Sequence, residues 1–491
     1  MYARTHGRDR EREFPPLDAF FFFWYHLPTS HQHISTCTVA FTRTGGPQPA
    51  WTREDRTVMH FPNLKTANTG GARVAARPLA RWALAIVALI MTVALFAPSM
   101  LLAQDKAPAK PTVSLYGFLR IDGVWDDSKM QNHQYAMWVL PEDPAVGISD
   151  NNYLTIYPRV TRFGLNVASF ELGEKVTASG KIEIDFQSGG TESRAGLRMR
   201  HAYFELKYGD FALLGGQTWQ LLSPLYPEVH TDGVLWNAGN LGDRAPQLRL
   251  TYAPKVGKGS VVAAAALGAT GAVDAQDLDK NTYLDGASSA VPNVQGHLML
   301  EQTLYANRPL KFGVWGHYAQ EQTDKPFVGE TRWDSWSGGL ELSLPLVERV
   351  WIEGEYWMGS NLSDVRGGAG QGINLFTGKE IDARGGWIEL ATKPTDKTQL
   401  YLGWSADDPE DEDLVSYDEV LAANEGLAAD KKLDPVTYTG RTLNWVGFVS
   451  ARYRVWQPFQ VAVEYYHWVT EYKGLESGID NRIDMHFSYF F

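Results

Sequence analysis

The sequence contains one cysteine, Cys37, in 491 residues. Intramolecular disulfide bonds are therefore excluded, and no cysteine follows the one long apolar segment, where a lipoprotein anchor would need it. That segment, residues 82–103, is the only long hydrophobic run, which excludes a membrane protein built from several helices. After residue 112 no hydrophobic pattern of helical period is long enough to predict a substantial helix.

Basic residues are also in the minority, with 45 Lys and Arg against 57 Asp and Glu. Residues 1–104 hold 11 of those basic and 6 of those acidic residues, so the remainder carries 34 and 51, a net charge of −17. An acidic chain of this kind is not predicted to bind nucleic acid. Its 22 Tyr, 22 Phe and 17 Trp, with a mildly polar mean hydropathy, are typical of a β-barrel with one lipid face and one polar face.

The apolar segment has the features of a secretory signal peptide. Arg73, Arg77 and Arg81 precede it, and small residues follow, with a cleavage site expected after Ala103. An uncleaved membrane helix is the alternative, although Pro98 within the run argues against it. We interpret residues 1–58 as a disordered, mis-called extension, 59–103 as the signal peptide region, 104–111 as a short periplasmic segment and 112–491 as the barrel.

From residue 112 onward, apolar and polar residues alternate in segments of strand length. The pattern is clearest in residues 175–187, where Lys181, Glu183 and Asp185 share one face and Ile182 and Ile184 the other. A strand with one strongly polar and one strongly apolar face needs water on one side and lipid on the other. The pattern therefore predicts an all-β fold, a transmembrane antiparallel β-barrel with a polar interior.

Short and long connections alternate along the barrel segment, seven short and eight long by our count, which predicts about sixteen strands with long external loops and both termini in the periplasm. A barrel of that size encloses an aqueous channel. The predicted long connections are residues 127–152, 188–194, 221–246, 271–293, 322–331, 360–379, 406–438 and 472–478.

The last eleven residues, NRIDMHFSYFF, alternate strictly. The apolar set, predicted to face lipid, is Ile483, Met485, Phe487, Tyr489 and Phe491; the set predicted to line the channel is Arg482, Asp484 and His486. We expect this strand to close the barrel by pairing with residues 113–125. It resembles the closing strand of bacterial outer-membrane barrels, and Phe491, Tyr489 and Phe487 would then form the signal that the barrel assembly machinery reads.

Two stretches resemble known porins. The segment TRFGLNVASFELGEKVTASGKIEIDF resembles the strand–turn–strand of general bacterial porins, with Arg162, Phe163 and Gly164 in the matching places. The segment LRMRHAYFELKYGDFALLGGQTW is similar to the DcaP-type trimeric porins, and WSGGLELSLPL fits that group more loosely. The resemblance covers residues 112–491 in architecture and roughly 155–250 in motifs.

The resemblance implies a homotrimeric channel in the outer membrane of a Gram-negative-type bacterium, with a third loop folded inward. It also implies uptake of small anionic compounds such as dicarboxylates. Type members carry a periplasmic coiled coil before the barrel, whereas here only QDKAPAK, residues 104–110, separates the signal from the first strand.

Charged side chains are expected to face the lumen, because an Arg or Lys facing lipid at mid-depth would cost roughly 2–4 kcal/mol. Arg198 and Arg200 share a face with Phe204 and are placed inward. Two hypotheses remain open for them: a ladder that attracts carboxylates or phosphates, or pairing with carboxylates on neighbouring strands. The predicted pore-lining and constriction residues are Arg120, Arg162, Lys181, Glu183, Asp185, Arg198, Arg200, Glu228, Asp232, Asp243, Arg244 and Arg249.

Residues 221–246 correspond to the constriction loop, because they form the third long connection and are rich in Gly, Pro, Asn and Asp. Glu228, Asp232 and Asp243 are its carboxylates, and His230 and Arg244 the candidate opposing charges.

The acidic run in residues 406–438 is predicted to be a solvated outer loop, with a calcium site or lipopolysaccharide bridging as weaker alternatives. Aromatic residues near predicted strand ends are expected to form lipid-boundary girdles rather than a sugar-stacking track. They are Trp333, Trp336, Trp351, Trp357, Tyr465, Tyr466 and Trp468.

The sequence predicts a porin that passes small hydrophilic solutes by diffusion, without cofactor, metal or turnover. It contains no GxSxG elbow, no HExxH pair and no phosphate-cradling glycine loop. A lipase-like or protease-like barrel, and a non-conducting structural or adhesive barrel, are the alternatives.

Overall fold

The computed structural model describes residues 110–148, 151–172, 175–191, 193–305 and 308–491. The predicted upstream extension, the signal peptide and residues 104–109 lie outside these ranges, so their interpretation stays a prediction.

Sixteen antiparallel strands form one closed barrel, which confirms the predicted fold class. Each strand pairs with its neighbours in sequence. The strands are β1 (Val113–Asp126), β2 (Tyr153–Tyr157 and Arg162–Glu171), β3 (Val176–Asp185), β4 (Arg198–Tyr208), β5 (Phe211–Trp219), β6 (Arg244–Tyr252 and Lys255–Val256), β7 (Gly259–Gly268), β8 (Asn293–Tyr305), β9 (Arg308–Phe327), β10 (Glu330–Val347), β11 (Val350–Ser360), β12 (Asp382–Thr392), β13 (Thr398–Pro409), β14 (Arg441–Trp456), β15 (Phe459–Tyr472) and β16 (Leu475–Phe490).

The barrel is closed by β16 and β1, as predicted. Their register places Ile121 opposite Phe487 and Leu119 opposite Tyr489. The alternation of β16 has the predicted orientation. Its apolar side chains, Ile483 to Phe491, are 38–48% exposed on the outer face. Arg482, Asp484 and His486 point inward, yet all three are buried, so they stabilise the wall instead of bordering open solvent.

A β-bulge interrupts the alternation between β3 and β4. Glu183 pairs with His201 and Ile184 with Met199, which leaves Arg200 as the extra residue. Arg200 and His201 are consequently both buried inside the barrel, and the parity of β4 reverses beyond them. The assignment of Phe204 to the inner face was therefore wrong, because its side chain is exposed on the outer face.

Two of the predicted long connections, residues 322–331 and 472–478, are tight hairpins. β9 continues to Phe327 and β10 begins at Glu330, so only Val328 and Gly329 connect them. Both have positive φ, 49° and 93°, as the hairpin turn with matching strand twist requires. β15 and β16 are likewise connected by Lys473 and Gly474 alone. The six remaining long connections are present, with boundaries within a few residues of the predicted ones.

Several aromatic residues predicted to form girdles lie inside the barrel instead. Trp333, Trp351, Trp357, Tyr466 and Trp468 are buried, and only Trp336 and Tyr465 of that set are exposed on the outer face. The inward aromatic side chains pack against the connecting segments. One apolar cluster joins the first and third long connections to β14 and β15, and it comprises Met130, Ala136, Val139, Val229, Leu235, Ala238, Val446, Phe448, Tyr466 and Trp468.

The α-helices are few and short in the described part of the chain. They are α1 (Asp285–Ser288), α2 (Tyr417–Asn424) and α3 (Pro435–Tyr438), all in the long connections. Of the helices in the described ranges, none has the length and apolarity needed to cross a membrane.

Deletion of Phe491 is expected to reduce the fraction of folded barrel. The residue exchanges two backbone hydrogen bonds with Gly117 of β1, of 3.1 and 3.3 Å, and its ring lies 5.8 Å from that of Phe163. The loss would therefore weaken the seam where the barrel closes. The measurement is the heat-modifiable electrophoretic shift of membrane fractions. Phe491→Tyr is the control that keeps the backbone pair with Gly117 and an aromatic ring at this position, and normal insertion of the deletion variant would contradict the prediction.

Candidate channel constriction

The connection between β5 and β6, residues 220–243, folds into the lumen, which confirms the predicted inward third loop. We call it the constriction loop. Its apolar side chains Leu222, Leu235, Trp236 and Leu241 are fully buried. Leu222 and Leu241 pack against the inward Trp315 and Trp357 of the wall. A segment rich in glycine and proline cannot continue the sheet, so its backbone N–H groups need other partners.

Three wall glutamates supply those partners. Glu355 of β11 accepts a hydrogen bond from the backbone N–H of Leu225 at 2.8 Å. Glu389 of β12 accepts one from Glu228 at 2.8 Å, and Glu464 of β15 accepts one from His230 at 2.9 Å. We call these three residues the glutamate clamp. Each carboxyl group is buried, so the hydrogen bonds that it accepts offset the cost of removing it from water.

The sequence-based prediction missed the clamp. The available signal was an isolated glutamate on the inner face of an otherwise apolar strand, as in GEYW, WIELA and AVEYY. In a barrel wall, a buried carboxylate of this kind needs a donor from inside the lumen, because the neighbouring strands use their N–H groups in the sheet. The constriction loop is that donor.

The opposite wall carries a network of ion pairs that includes Asp232 of the constriction loop. Arg198 lies 2.6 Å from Asp185 and 2.5 Å from Asp232. Arg200 lies 2.8 Å from Glu183, 2.9 Å from Asp185 and 3.3 Å from Asp232. Arg198 and Arg200 thus form the ion pairs that the second hypothesis describes. They join the loop to the wall.

Two further cations of this network are held less tightly. Arg162 and Lys181 each approach Glu183 only to 3.5 Å, and their side chains are 22% and 26% exposed. Glu183 has closer partners in Arg200 and in the hydroxyl of Tyr116, which donates at 2.7 Å. The network, which we call the basic cluster, contains four cations (Arg162, Lys181, Arg198 and Arg200) and three carboxylates (Glu183, Asp185 and Asp232).

A second cationic group lies at the end of the constriction loop. Asp243 accepts hydrogen bonds from Arg366 at 2.9 and 3.1 Å, and Arg244 lies 3.4 Å from the same carboxylate. The guanidinium of Arg244 also stacks 4.4 Å from the ring centre of Trp219, and that of Arg366 lies 5.0 Å from Trp236. Here too the cations outnumber the carboxylates, two to one.

The remaining predicted residues lie elsewhere on the inner wall. Arg120 donates to Asp122, to the carbonyl oxygen of His230 at 2.9 Å and towards His486. Glu228 pairs with Arg452 at 2.7 Å. Arg249 donates to Gln247 and to the carbonyl oxygen of Trp219. Arg366 and Arg452 were not among the predicted residues, because strand patterns do not reveal which cation reaches a given carboxylate of the loop.

Asp232 is expected to anchor the constriction loop in a pH-dependent way. Although burial opposes it, the guanidiniums of Arg198 and Arg200 hold the pKa of Asp232 below its usual range. A lowered folded-state pKa means that the carboxylate contributes stability above its unfolded value of about 4 and loses it as the pH falls further.

Asp232→Ala is therefore expected to lower the stability of the barrel at pH 7 by about 2–4 kcal/mol, since the buried Arg200 and the partly exposed Arg198 each lose a partner. Denaturant titration of the refolded barrel, at pH 7 and at pH 3, measures the effect. Glu205→Ala, which removes the partner of the exposed Lys207, is the control. An equal effect of Asp232→Ala at both pH values would contradict the pH dependence.

No protein-family model matches the chain, and no curated protein matches it in sequence. Among solved structures, the outer membrane channel DcaP of Acinetobacter baumannii aligns with a TM-score of 0.57 at 17% identity, over 79% of this chain and all of that one. An anion-selective porin from Comamonas acidovorans aligns at 12% identity over 78% and 100% of the two chains, with a TM-score of 0.48. At this identity, the DcaP alignment shows the fold alone. The predicted resemblance to DcaP and other porins is confirmed in that sense.

Proposed function

We propose that the protein is an outer-membrane channel through which small hydrophilic solutes diffuse, with a preference for anions. The observation that supports this proposal is the excess of cationic side chains around the constriction loop. Six cationic side chains there face four carboxylates, counting the basic cluster together with Arg244, Arg366 and Asp243. The selectivity of a pore depends on the charges that line its narrowest part.

The exposure of these groups supports a preference for anions. Arg162, Lys181, Arg198 and Arg366 are each 20–26% exposed, whereas Asp185 and Asp232 are covered. Glu228 of the constriction loop is more exposed, at 45%, but it pairs with Arg452 at 2.7 Å. Around the basic cluster, a permeating ion therefore meets guanidinium and ammonium groups before it meets carboxylates. The planar guanidinium binds a carboxylate through two parallel hydrogen bonds, so small carboxylic acids are the solutes this lining favours.

The acidic residues of the opposite wall do not counter this preference. Glu355, Glu389 and Glu464 are buried beneath the constriction loop and are engaged by its N–H groups. The N–H groups of the constriction loop point at these carboxylates and therefore reduce the negative electrostatic potential that they produce in the lumen. The negative charge of the chain as a whole is therefore a poor guide to the charge that a solute meets.

We propose the outer membrane as the location of the protein. The outward belt of apolar side chains would contact outer-membrane lipid and lipopolysaccharide. The C-terminal Phe491 would be read by the barrel assembly machinery, after removal of the signal peptide. A homotrimer is proposed from the resemblance to DcaP-type porins. A catalytic role is not proposed, since the histidine–hydroxyl pairs of His317 with Ser337 and of His201 with Thr218 are buried in the wall.

A non-conducting structural barrel is the second candidate, because the constriction loop and the apolar clusters fill much of the lumen. Liposome swelling separates the two. Proteoliposomes should swell in a small dicarboxylate salt faster than in an uncharged solute of similar size, and slowest in a diamine salt. No swelling in any solute would favour the structural barrel. Swelling that is fastest with the diamine would retain the channel and overturn the anion preference.

A further inference from the structure

The connection between β7 and β8, residues 269–292, contains an acidic segment that the channel does not use. In the sequence Asp-Leu-Asp-Lys-Asn-Thr-Tyr-Leu-Asp, oxygen-bearing side chains stand at Asp277, Asp279, Asn281 and Asp285. Numbered from Asp277, these are positions 1, 3, 5 and 9. Calcium-binding loops place ligands at these positions and use the backbone carbonyl of position 7, here Tyr283.

The fold brings these side chains together. One carboxylate oxygen from each of Asp277, Asp279 and Asp285 lies within 4.8 Å of the others. Asp277 accepts hydrogen bonds from the N–H groups of Asn281 at 3.0 Å and Thr282 at 2.9 Å, so the chain wraps around this carboxylate. Three acidic groups at this separation repel one another unless a cation lies between them.

Asp285 provides the independent observation. It is 1% exposed, and its Oδ1 has no hydrogen-bond partner, while Oδ2 accepts from the N–H of Leu278 at 2.9 Å. A buried carboxylate oxygen without a donor is costly, and this one belongs to a carboxylate that faces Asp277 and Asp279. A bound cation would satisfy Oδ1 and remove the repulsion.

We propose that Asp277, Asp279, Asn281 and Asp285 form a calcium site, with the carbonyl oxygen of Tyr283 as a further ligand. All the donors are oxygen, which suits a hard cation and excludes a soft one. Mg²⁺ demands near-ideal octahedral geometry, whereas Ca²⁺ accepts six to eight ligands in a flexible arrangement. A loop built from carboxylates, an amide and a carbonyl therefore favours Ca²⁺.

The site connects its loop to the neighbouring long strand. Oδ2 of Asp279 accepts hydrogen bonds from the N–H groups of Asp324 and Lys325 in β9, both at 3.0 Å. Asn281 donates to the Asp324 carboxylate at 2.9 Å. Calcium at Asp279 and Asn281 would thus fix residues 269–292 against the extended β9–β10 hairpin. An affinity on the order of 10⁻⁴–10⁻³ M is expected, as for other extracellular calcium modules.

The test is calorimetric titration of CaCl₂ into the whole refolded barrel, free of lipopolysaccharide and treated with a chelator. Wild type should bind one Ca²⁺ through this site, and MgCl₂ should bind at least tenfold more weakly. Asp277→Asn with Asp279→Asn should reduce calcium affinity at least tenfold. Asp411→Asn with Glu412→Gln removes the same charge from the acidic run of another loop and should leave the affinity unchanged.

Two further measurements keep the result interpretable. The heat-modifiable shift shows that each variant has formed its barrel. Protease cleavage within residues 269–292 should slow on addition of calcium in wild type but not in the Asp277/Asp279 variant. Calcium binding that the Asp277/Asp279 variant retains in full, or equal affinity for Mg²⁺, would overturn the site.

Discussion

Replacing Arg162 and Lys181 together with glutamine is expected to abolish the proposed anion preference of the channel and leave it nearly unselective. Six cations face four carboxylates around the constriction loop, and the double variant would have four of each. Both side chains lie 3.5 Å from Glu183, which keeps Arg200 and Tyr116 as closer partners. The change should therefore alter the field without dismantling the wall.

The size of the effect follows from Coulomb's law. A unit charge about 10 Å from a permeating ion, at an effective dielectric constant of about 20, contributes roughly 1–2 kcal/mol before screening by salt. Removing two charges should therefore change the anion-to-cation permeability ratio by roughly tenfold or more. Reversal potentials of single channels in a potassium chloride gradient measure this ratio.

Lys255→Gln with Lys258→Gln is the matched control, because it removes two charges at the turn between β6 and β7, away from the constriction loop. This variant should retain the wild-type reversal potential. A reversal potential that stays at the wild-type value in Arg162→Gln/Lys181→Gln would show that the basic cluster does not set selectivity.

Glu389→Ala combined with Glu464→Ala is expected to raise single-channel conductance and current noise. The two substitutions remove the acceptors for the N–H groups of Glu228 and His230, at 2.8 and 2.9 Å. Glu464 also accepts from the imidazole of His230 at 2.9 Å. The double variant therefore loses three hydrogen bonds that attach the constriction loop to the wall. The constriction loop should then leave the wall part of the time.

The control for this variant is Glu341→Ala. Glu341 is as deeply buried in the wall as the clamp residues, but it bonds to His297 of β8 at 3.0 Å and not to the constriction loop. The Glu341→Ala variant should be less stable than wild type but should keep the wild-type open-channel conductance. If Glu389→Ala/Glu464→Ala conducts with the amplitude and noise of wild type, the clamp does not hold the loop.

Alternation predicted the barrel because lipid and water lie on opposite faces of each strand. It determined the orientation of β16 correctly, from Ile483 to Phe491. It failed at β4, since the bulge at Arg200 adds one residue and reverses every later side chain, Phe204 included. Nothing in the local sequence marks that residue, because Arg200 and His201 are each acceptable on the inner face.

Loop lengths and contacts across the lumen were harder to predict. Residues 322–331 were predicted to be a long loop, yet Gln322 pairs with Arg332 and only Val328 and Gly329 form the turn. Trp357 and Trp468 were assigned to the lipid boundary because the sequence does not reveal that loops cover the inner wall. Asp232 reaches Arg198 across 34 residues of chain, so this pairing depends on the path of the constriction loop.

The reversal potential of the wild-type channel in a tenfold gradient of potassium chloride tests the central claim most directly. Cationic side chains are in excess around the constriction loop, so chloride should permeate faster than potassium. The reversal potential should have the sign that this difference produces. A potential of the opposite sign would contradict the anion pathway.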